Sequence, residues 1–326
     1  MKLLKHLTLT AALIVSAVSI QPAAATSTDC TNAFDIASSR PSDAPTNITP
    51  IAGTPLANEG VWQDTRITVA GNVAVKTTKL RFDRAHGKAT ATIIWLDPKE
   101  LAFGQVPGIS DPINNHGATG KVSPSLKACY VAGFAGGYLT RTKATHNNDS
   151  QGGAIYSANA VLPMVNGKAT LVTYTDGSID VVDWPNWNHS KPIAQARQNI
   201  KMLVNDGVSQ VRVPEKHNAW GWVWLGTGVN ANDVPRSGVG IRADGTVVWA
   251  LGNHLNATNL ASLLVRAGAV RAMALDMNKG FANGFFYGPY HTTKVVGHKI
   301  DSSMVGSPTR FWSPNQRDFV AVFTRP

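Results

Sequence analysis

Short β-prone runs separated by glycine turns recur along this chain, and they set the kind of sheet it can build. Thr90–Leu96, Ala169–Tyr174, Ile179–Val182, Gly238–Ile241, Thr246–Leu251 and Phe319–Phe323 carry β-branched and aromatic residues in strand-length stretches. Asn166-Gly167, Asp176-Gly177 and Asp244-Gly245 lie between such runs. Glycine there supplies the positive φ that a tight hairpin turn requires. Strands joined this way pair antiparallel, so a largely antiparallel or mixed sheet is expected.

Two segments read as helices. From Pro192 to Asn205, Ile193, Ala196, Ile200, Leu203 and Val204 recur at helical spacing, and Gly207 follows as a stop. From Thr258 to Ala267, Leu260, Leu263 and Leu264 make one apolar stripe, Thr258 is placed to cap the first turn, and Gly268 ends the segment. The apolar run of Val270, Met273, Ala274 and Leu275 then stops at Asp276. The fold class expected is mixed α/β (α+β): one domain over residues 57–326, with a few helices packed on the sheet.

Residues 1–25 read as a secretory signal, with Lys2 and Lys5 at the start, an apolar run from Leu7 to Ile20, and Ala23-Ala24-Ala25 as the cleavage site. Thr8, Thr10, Ser16 and Ser19 interrupt that run, and it is shorter than the roughly 20 residues of a spanning helix. Cleavage near Ala25 and a secreted or cell-envelope location are expected, with no transmembrane segment in the mature chain. Residues 26–56, rich in Ser, Thr, Pro, Asn and Asp, read as a flexible leader.

The formal net charge is +10, which suits anionic surroundings such as phosphate-bearing polymers. No basic run or recognised module points to nucleic acid. The two cysteines, Cys30 and Cys129, form a disulfide outside the cytoplasm or stay as two thiols; a zinc site would need histidines at ligand spacing, which the sequence lacks. No metal or cofactor is expected, beyond a divalent cation held weakly by Asp276 and Asn278.

One stretch has a recognisable pattern. Arg236-Ser237-Gly238-Val239-Gly240-Ile241, the Asp244-Gly245 turn, a helix, and Ala267-Gly268-Ala269-Val270-Arg271-Ala272-Met273-Ala274-Leu275-Asp276 follow one another in order. This resembles the phosphodiester glycosidase family, in its exported bacterial subgroup. Gly133-Phe134-Ala135-Gly136-Gly137-Tyr138, the segment Ala194 to Leu203, and Asp318-Phe319-Val320-Ala321-Val322-Phe323 also fit its pattern. The chain departs from the pattern at Ala135, where the family has Asn, and after Asp276, where Met277-Asn278-Lys279-Gly280 replaces Gly-Gly-Gly-Ser.

The resemblance implies hydrolysis of a sugar joined through its anomeric carbon to a phosphodiester, with glycosidic C–O cleavage. Arg236 would hold the phosphate, because a guanidinium meets phosphate oxygens in a planar two-point geometry. Asp276 would activate water or stabilise the oxocarbenium-like sugar; its plainer reading is a turn residue or cap. Asn278 would contact sugar hydroxyls, Gly136 and Gly137 would let backbone N–H groups approach phosphate or simply form a tight turn, and His254 would border the cleft. Asp149, Asp233 and Asp97 are possible second carboxylates. Trp220, Trp222 and Trp224 alternate as on one strand face, either as core or as a sugar platform, and Trp184 and Trp187 lie in a loop. Two other functions stay open: a non-catalytic sugar-phosphate or glycan-binding protein on the same fold, and a glycosidase of non-phosphorylated glycans.

Overall fold

The structure is a computed structural model. It describes residues 33–112, 117–140, 152–156, 159–186, 190–211, 233–277, 279–280, 282–288 and 296–326. In chain order the strands are β1 (Gln63–Asp64), β2 (Thr68–Val69), β3 (Asn72–Val73), β4 (Val75–Arg81), β5 (Thr90–Leu96), β6 (Leu101–Val106) and β7 (Tyr130–Ala135). Then come β8 (Ala154–Tyr156), β9 (Asn159–Leu162), β10 (Lys168–Tyr174), β11 (Ile179–Trp184), β12 (Ile193–Gln198), β13 (Met202–Asn205) and β14 (Val208–Ser209). The chain ends with β15 (Val234–Arg242), β16 (Val247–Leu255), helix α1 (Ala257–Arg266), β17 (Ala269–Met277), β18 (Gly284–Gly288), β19 (Val296–Lys299) and β20 (Phe319–Thr324).

An eight-stranded sheet in the order β1-β4-β5-β16-β15-β17-β13-β14 forms the centre. Two five-stranded sheets, β11-β10-β12-β8-β9 and β19-β18-β7-β20-β6, accompany it, with a β2-β3 ribbon. The central strands bury both faces, and the strand period of two deals alternate residues to two cores. Val247, Trp249, Leu251, Met273 and Leu275 meet Phe103, Phe134, Leu171 and Val322 of the smaller sheets. Val248, Ala250, Ala272 and Ala274 face the other way, onto Leu260, Leu263 and Leu264 of α1. Small residues on that face let the helix sit close: a Cβ on Gly238 would lie 3.1 Å from Leu264 and 3.3 Å from Leu260.

The architecture is mainly β rather than mixed α/β, because α1 is the one α-helix among the described residues. The helix expected over Pro192–Asn205 is two strands, β12 and β13, which belong to different sheets. Its helix-like spacing arises from that switch. Ala196 enters the core of the β10–β12 layer, whereas Ile200, Leu203 and Val204 enter the core under α1. Long-range amide bonds hold the extended form: the Gln195 side chain exchanges both bonds with the Gln105 backbone, at 2.6 and 2.7 Å. Gln198 Oε1 accepts from Gly153 N at 2.8 Å.

Helix α1 falls where expected, but Asn256 is its cap in place of Thr258, accepting from Asn259 N at 2.7 Å. Asp176-Gly177 and Asp244-Gly245 join the paired neighbours β10–β11 and β15–β16. Asn166-Gly167 turns the chain without making a hairpin, since β9 and β10 are not neighbours. Residues 33–56 carry no strand or helix, yet they are fastened to the domain. Phe34 stacks on Phe323 at 5.2 Å, and Ser42 donates to the Asp97 carboxylate through N (2.7 Å) and Oγ (2.8 Å). Cys129 is disulfide-bonded; Cys30 lies outside the described residues.

Candidate active site

Arg236 stands near the start of β15 and Asp276 near the end of β17, and antiparallel pairing brings these ends together. Arg236 is the register partner of Met277, and Ser237 Oγ donates to the Asp276 carbonyl at 3.0 Å. The Arg236 side chain is buried, with Nε donating to the Leu255 carbonyl at 2.9 Å. An arginine at the start of a hairpin and a strand-ending acid, about forty residues apart in the chain, therefore meet because of sheet register.

Asp276 is 3 % exposed. Its Oδ1 accepts from Met277 N at 2.9 Å, and Oδ2 pairs with Arg317 Nη2 at 3.0 Å. Burial pushes the carboxyl up to about 7, against the opposing pull of Arg317 and the Met277 N–H. The group is thereby poised to exchange a proton near neutrality, which suits acid–base chemistry.

The surroundings come from the β19-β18-β7-β20-β6 sheet and the segments that flank it. Gly136, Gly137 and Tyr138 follow β7, and Arg317 and Asp318 lead into β20. Arg317 Nη2 also donates to the Gly137 carbonyl at 2.8 Å. The Tyr138 phenol lies within electrostatic reach of Arg236, Asp276 and Arg317; burial pushes it up to about 12, so it stays protonated. Arg310 donates through Nη1 to the Gly280 carbonyl at 2.7 Å, and its guanidinium feels both Asp276 and Arg317.

Behind this group sits a second charged cluster. Arg197 Nε pairs with Asp318 Oδ2 at 3.0 Å and Nη2 with Asp111 Oδ2 at 3.5 Å, while its remaining donors reach the carbonyls of Gln198 and Tyr138. Asn199 bridges two sheets, accepting from Tyr138 N at 3.2 Å and donating to the Ala274 carbonyl at 2.6 Å.

Gly136 and Gly137 take a different part from the one expected. Gly136 N donates to the Asp318 carbonyl at 3.2 Å, and the Gly137 N–H serves the Asp318 carboxylate. Both donors are committed inside the protein. Glycine is needed for close approach: a Cβ on Gly136 would lie 2.6 Å from Asp318 Oδ2, and one on Gly137 3.1 Å from the Arg197 guanidinium. The void beside them, of about 10 Å³, has room for a single water and none for a sugar ring.

Of the remaining candidates, His254 pairs with Asp233 at 3.6 Å and stacks on His86 at 5.9 Å. It is held in a left-handed backbone (φ 56°). Asp233 serves His86 as well, at 3.1 Å, and Asp97 holds Ser42; the carboxylate whose charge acts on Asp276 is Asp318. Trp184 ends β11. Asn278, Asp149, Trp187, Trp220, Trp222 and Trp224 lie outside the described residues. Among the described residues, no group of three or more His, Cys, Asp or Glu is placed to hold a metal ion, and no helix is long and apolar enough to cross a membrane. Sequence reasoning missed Tyr138, Arg197, Asn199, Arg310 and Arg317. The one available signal was the Arg317-Asp318 pair placed directly before an apolar strand.

Three solved structures align with this chain. The zebrafish N-acetylglucosamine-1-phosphodiester alpha-N-acetylglucosaminidase catalytic domain, auto-inhibited by its pro-peptide, aligns at 15% identity and TM-score 0.46, covering 86% of this chain and 87% of that one. A hypothetical protein from Synechocystis aligns at 10% identity and TM-score 0.43, covering 78% and 63%. A putative exported protein from Burkholderia pseudomallei aligns at 11% identity and TM-score 0.36, covering 73% and 74%. At these values none of the three assigns a function. No curated protein matches the chain. The family model named phosphodiester glycosidase matches residues 128–276, a span that runs from the strand before Gly136-Gly137 to Asp276 itself. Over those residues the chain carries the phosphodiester glycosidase pattern, as its Arg236-to-Asp276 motifs implied.

Proposed function

We propose that this protein is an exported hydrolase that releases a sugar from a sugar-phosphate phosphodiester in a cell-wall or extracellular glycan. The observation that carries the reading is the Asp276 carboxyl, buried at a strand end with Arg317 at 3.0 Å and Arg236 on the neighbouring strand, within the family-matched span.

In this mechanism ionised Asp276 takes a proton from water. The water oxygen bonds to the anomeric carbon, and the anomeric C–O bond breaks with its electron pair going to the phosphate oxygen. The products are the free sugar and a phosphomonoester; the proton passes from Asp276 to solvent. The leaving phosphate gains a negative charge as the bond breaks, so Arg236 binds it more strongly in the transition state than in the substrate. A phosphate is already a good leaving group, so one carboxylate suffices. The residues named supply all of this without a metal, and Asn278 contacts the sugar. Export is supported by the signal-like residues 1–25 and by the disulfide at Cys129, which suits an oxidising compartment.

The test is to incubate the mature protein with aryl phosphodiesters of several sugars and with the matching plain aryl glycosides. Sugar and phosphomonoester released only from the phosphodiesters support the reading. Release from plain glycosides removes phosphate from the mechanism, and binding without turnover across the panel favours a sugar-phosphate-binding protein.

A further inference from the structure

Three guanidinium groups gather around Asp276, and their counter-charges differ. Arg317 is paired with Asp276 itself. Arg236 is fixed by the Leu255 carbonyl and lies beside the Tyr138 phenol. Arg310 is half-buried, donates one bond to the Gly280 carbonyl, and lies over the Phe311 ring at 5.5 Å. Among the described residues it has no carboxylate within ion-pair distance.

The Gly280 contact sets where this cation sits. Gly280 lies four residues beyond Asp276, and Asn283 braces the same carbonyl with its side-chain amide at 3.5 Å. The turn leaving β17 therefore fastens Arg310 at the exit of the strand that carries the acid. A partly desolvated cation without a counter-ion is unfavourable, and an anion that enters beside it removes that cost. Arg317 already takes up Asp276 Oδ2, so Arg310 is left at the strand exit with a backbone carbonyl as its hydrogen-bond acceptor.

We infer that Arg310 is a phosphate ligand and the specificity-determining residue that separates phosphodiester-linked sugars from neutral glycosides. This deepens the phosphodiester reading and rests on it for the identity of the substrate. Arg310 serves recognition, and Arg236 follows the charge that develops on the leaving oxygen. A guanidinium contributes this selectively because it offers two parallel donors to phosphate and finds no equivalent acceptor on a neutral glycoside.

The experiment compares the wild-type mature protein with Arg310→Gln and Arg310→Lys, using inorganic phosphate as the binding probe in calorimetry and in thermal melts. Steady-state kinetics on an aryl phosphodiester run in parallel. Arg310→Gln is expected to weaken phosphate binding on the order of 10- to 100-fold, to abolish the phosphate-induced rise in Tm, and to raise KM by a similar factor with a smaller change in kcat. Arg310→Lys keeps the charge and recovers part of both. Phosphate affinity and KM unchanged in Arg310→Gln overturn the inference, as does absence of phosphate binding to the wild-type protein. Should the wild-type protein hydrolyse only neutral glycosides while Arg310→Gln loses phosphate binding, the phosphodiester reading fails and the anion site at Arg310 stands.

Discussion

Two charged clusters reach the same glycine turn, Arg197 through the Tyr138 carbonyl and Arg317 through the Gly137 carbonyl, and they are built differently. Around Arg197 two carboxylates, Asp318 and Asp111, serve one guanidinium, and its other donors end on backbone carbonyls. Around Asp276, Arg317 and Arg310 act on a carboxyl that burial, with Asp318 nearby, holds near neutrality. A buried cation shared by two carboxylates fixes geometry, whereas a half-buried cation such as Arg310, without a paired carboxylate among the described residues, favours an arriving anion. Arg197 thus holds the Gly137–Tyr138 turn and Asp318 in place, while in the proposed reaction Arg236, Arg310 and Arg317 attend the substrate.

The sharpest way to break this contrast is Arg197→Met. It leaves Asp318 and Asp111 buried and unpaired, and we expect a loss of about 3–5 kcal/mol in urea denaturation. Stability that stays unchanged would show that the cluster is not a scaffold. Asp276→Asn should do the reverse, lowering kcat on an aryl phosphodiester by about 10²–10⁴ while the midpoint of unfolding moves far less.

A pH series sharpens the comparison further. If Asp276 works as the proposed base, activity is expected to be lost as pH falls through about 7. Arg317 favours the ionised form, so Arg317→Gln should move that limb to higher pH by about 1–3 units. Stability carries the opposite sign. The folded carboxyl keeps its proton up to about 7, whereas an ordinary one releases it near 3.8, so this group's contribution declines as pH rises between those values. The decline should be missing in Asp276→Asn.

Smaller still is Gly136→Ala, whose methyl meets Asp318 at 2.6 Å. It should cost about 1–3 kcal/mol through displaced packing, read as a lower denaturation midpoint. Chelation stands last: dialysis against EDTA should leave turnover unaltered, and a loss restored by a divalent cation would put a metal at Asp276.

Much of the central sheet was legible because its signals are local. Asp176-Gly177 and Asp244-Gly245 close hairpins by their own backbone preference, and the stripe of Leu260, Leu263 and Leu264 needs only helical spacing. Asp276 was legible for a related reason, since an apolar run that ends in an acid marks a strand end. The segment 192–205 misled because its apolar residues serve two cores in two sheets, which imitates a helical period. Bonds from Gln195 and Gln198 to distant backbone decide the extended form.

The sequence by itself therefore determined the antiparallel hairpins, the place of α1, the excess of positive charge, and the strand ends on which the candidates Arg236 and Asp276 lie. Only the tertiary structure decided which charges meet. Tyr138, Arg197 and the segment that holds both Arg310 and Arg317 are far apart in the chain, and nothing within a window of neighbours distinguishes a surface arginine from a buried one. Sheet order and register place them, and burial then sets their electrostatics, because a carboxyl near 7 is a property of the low-dielectric surroundings that several strand ends create together.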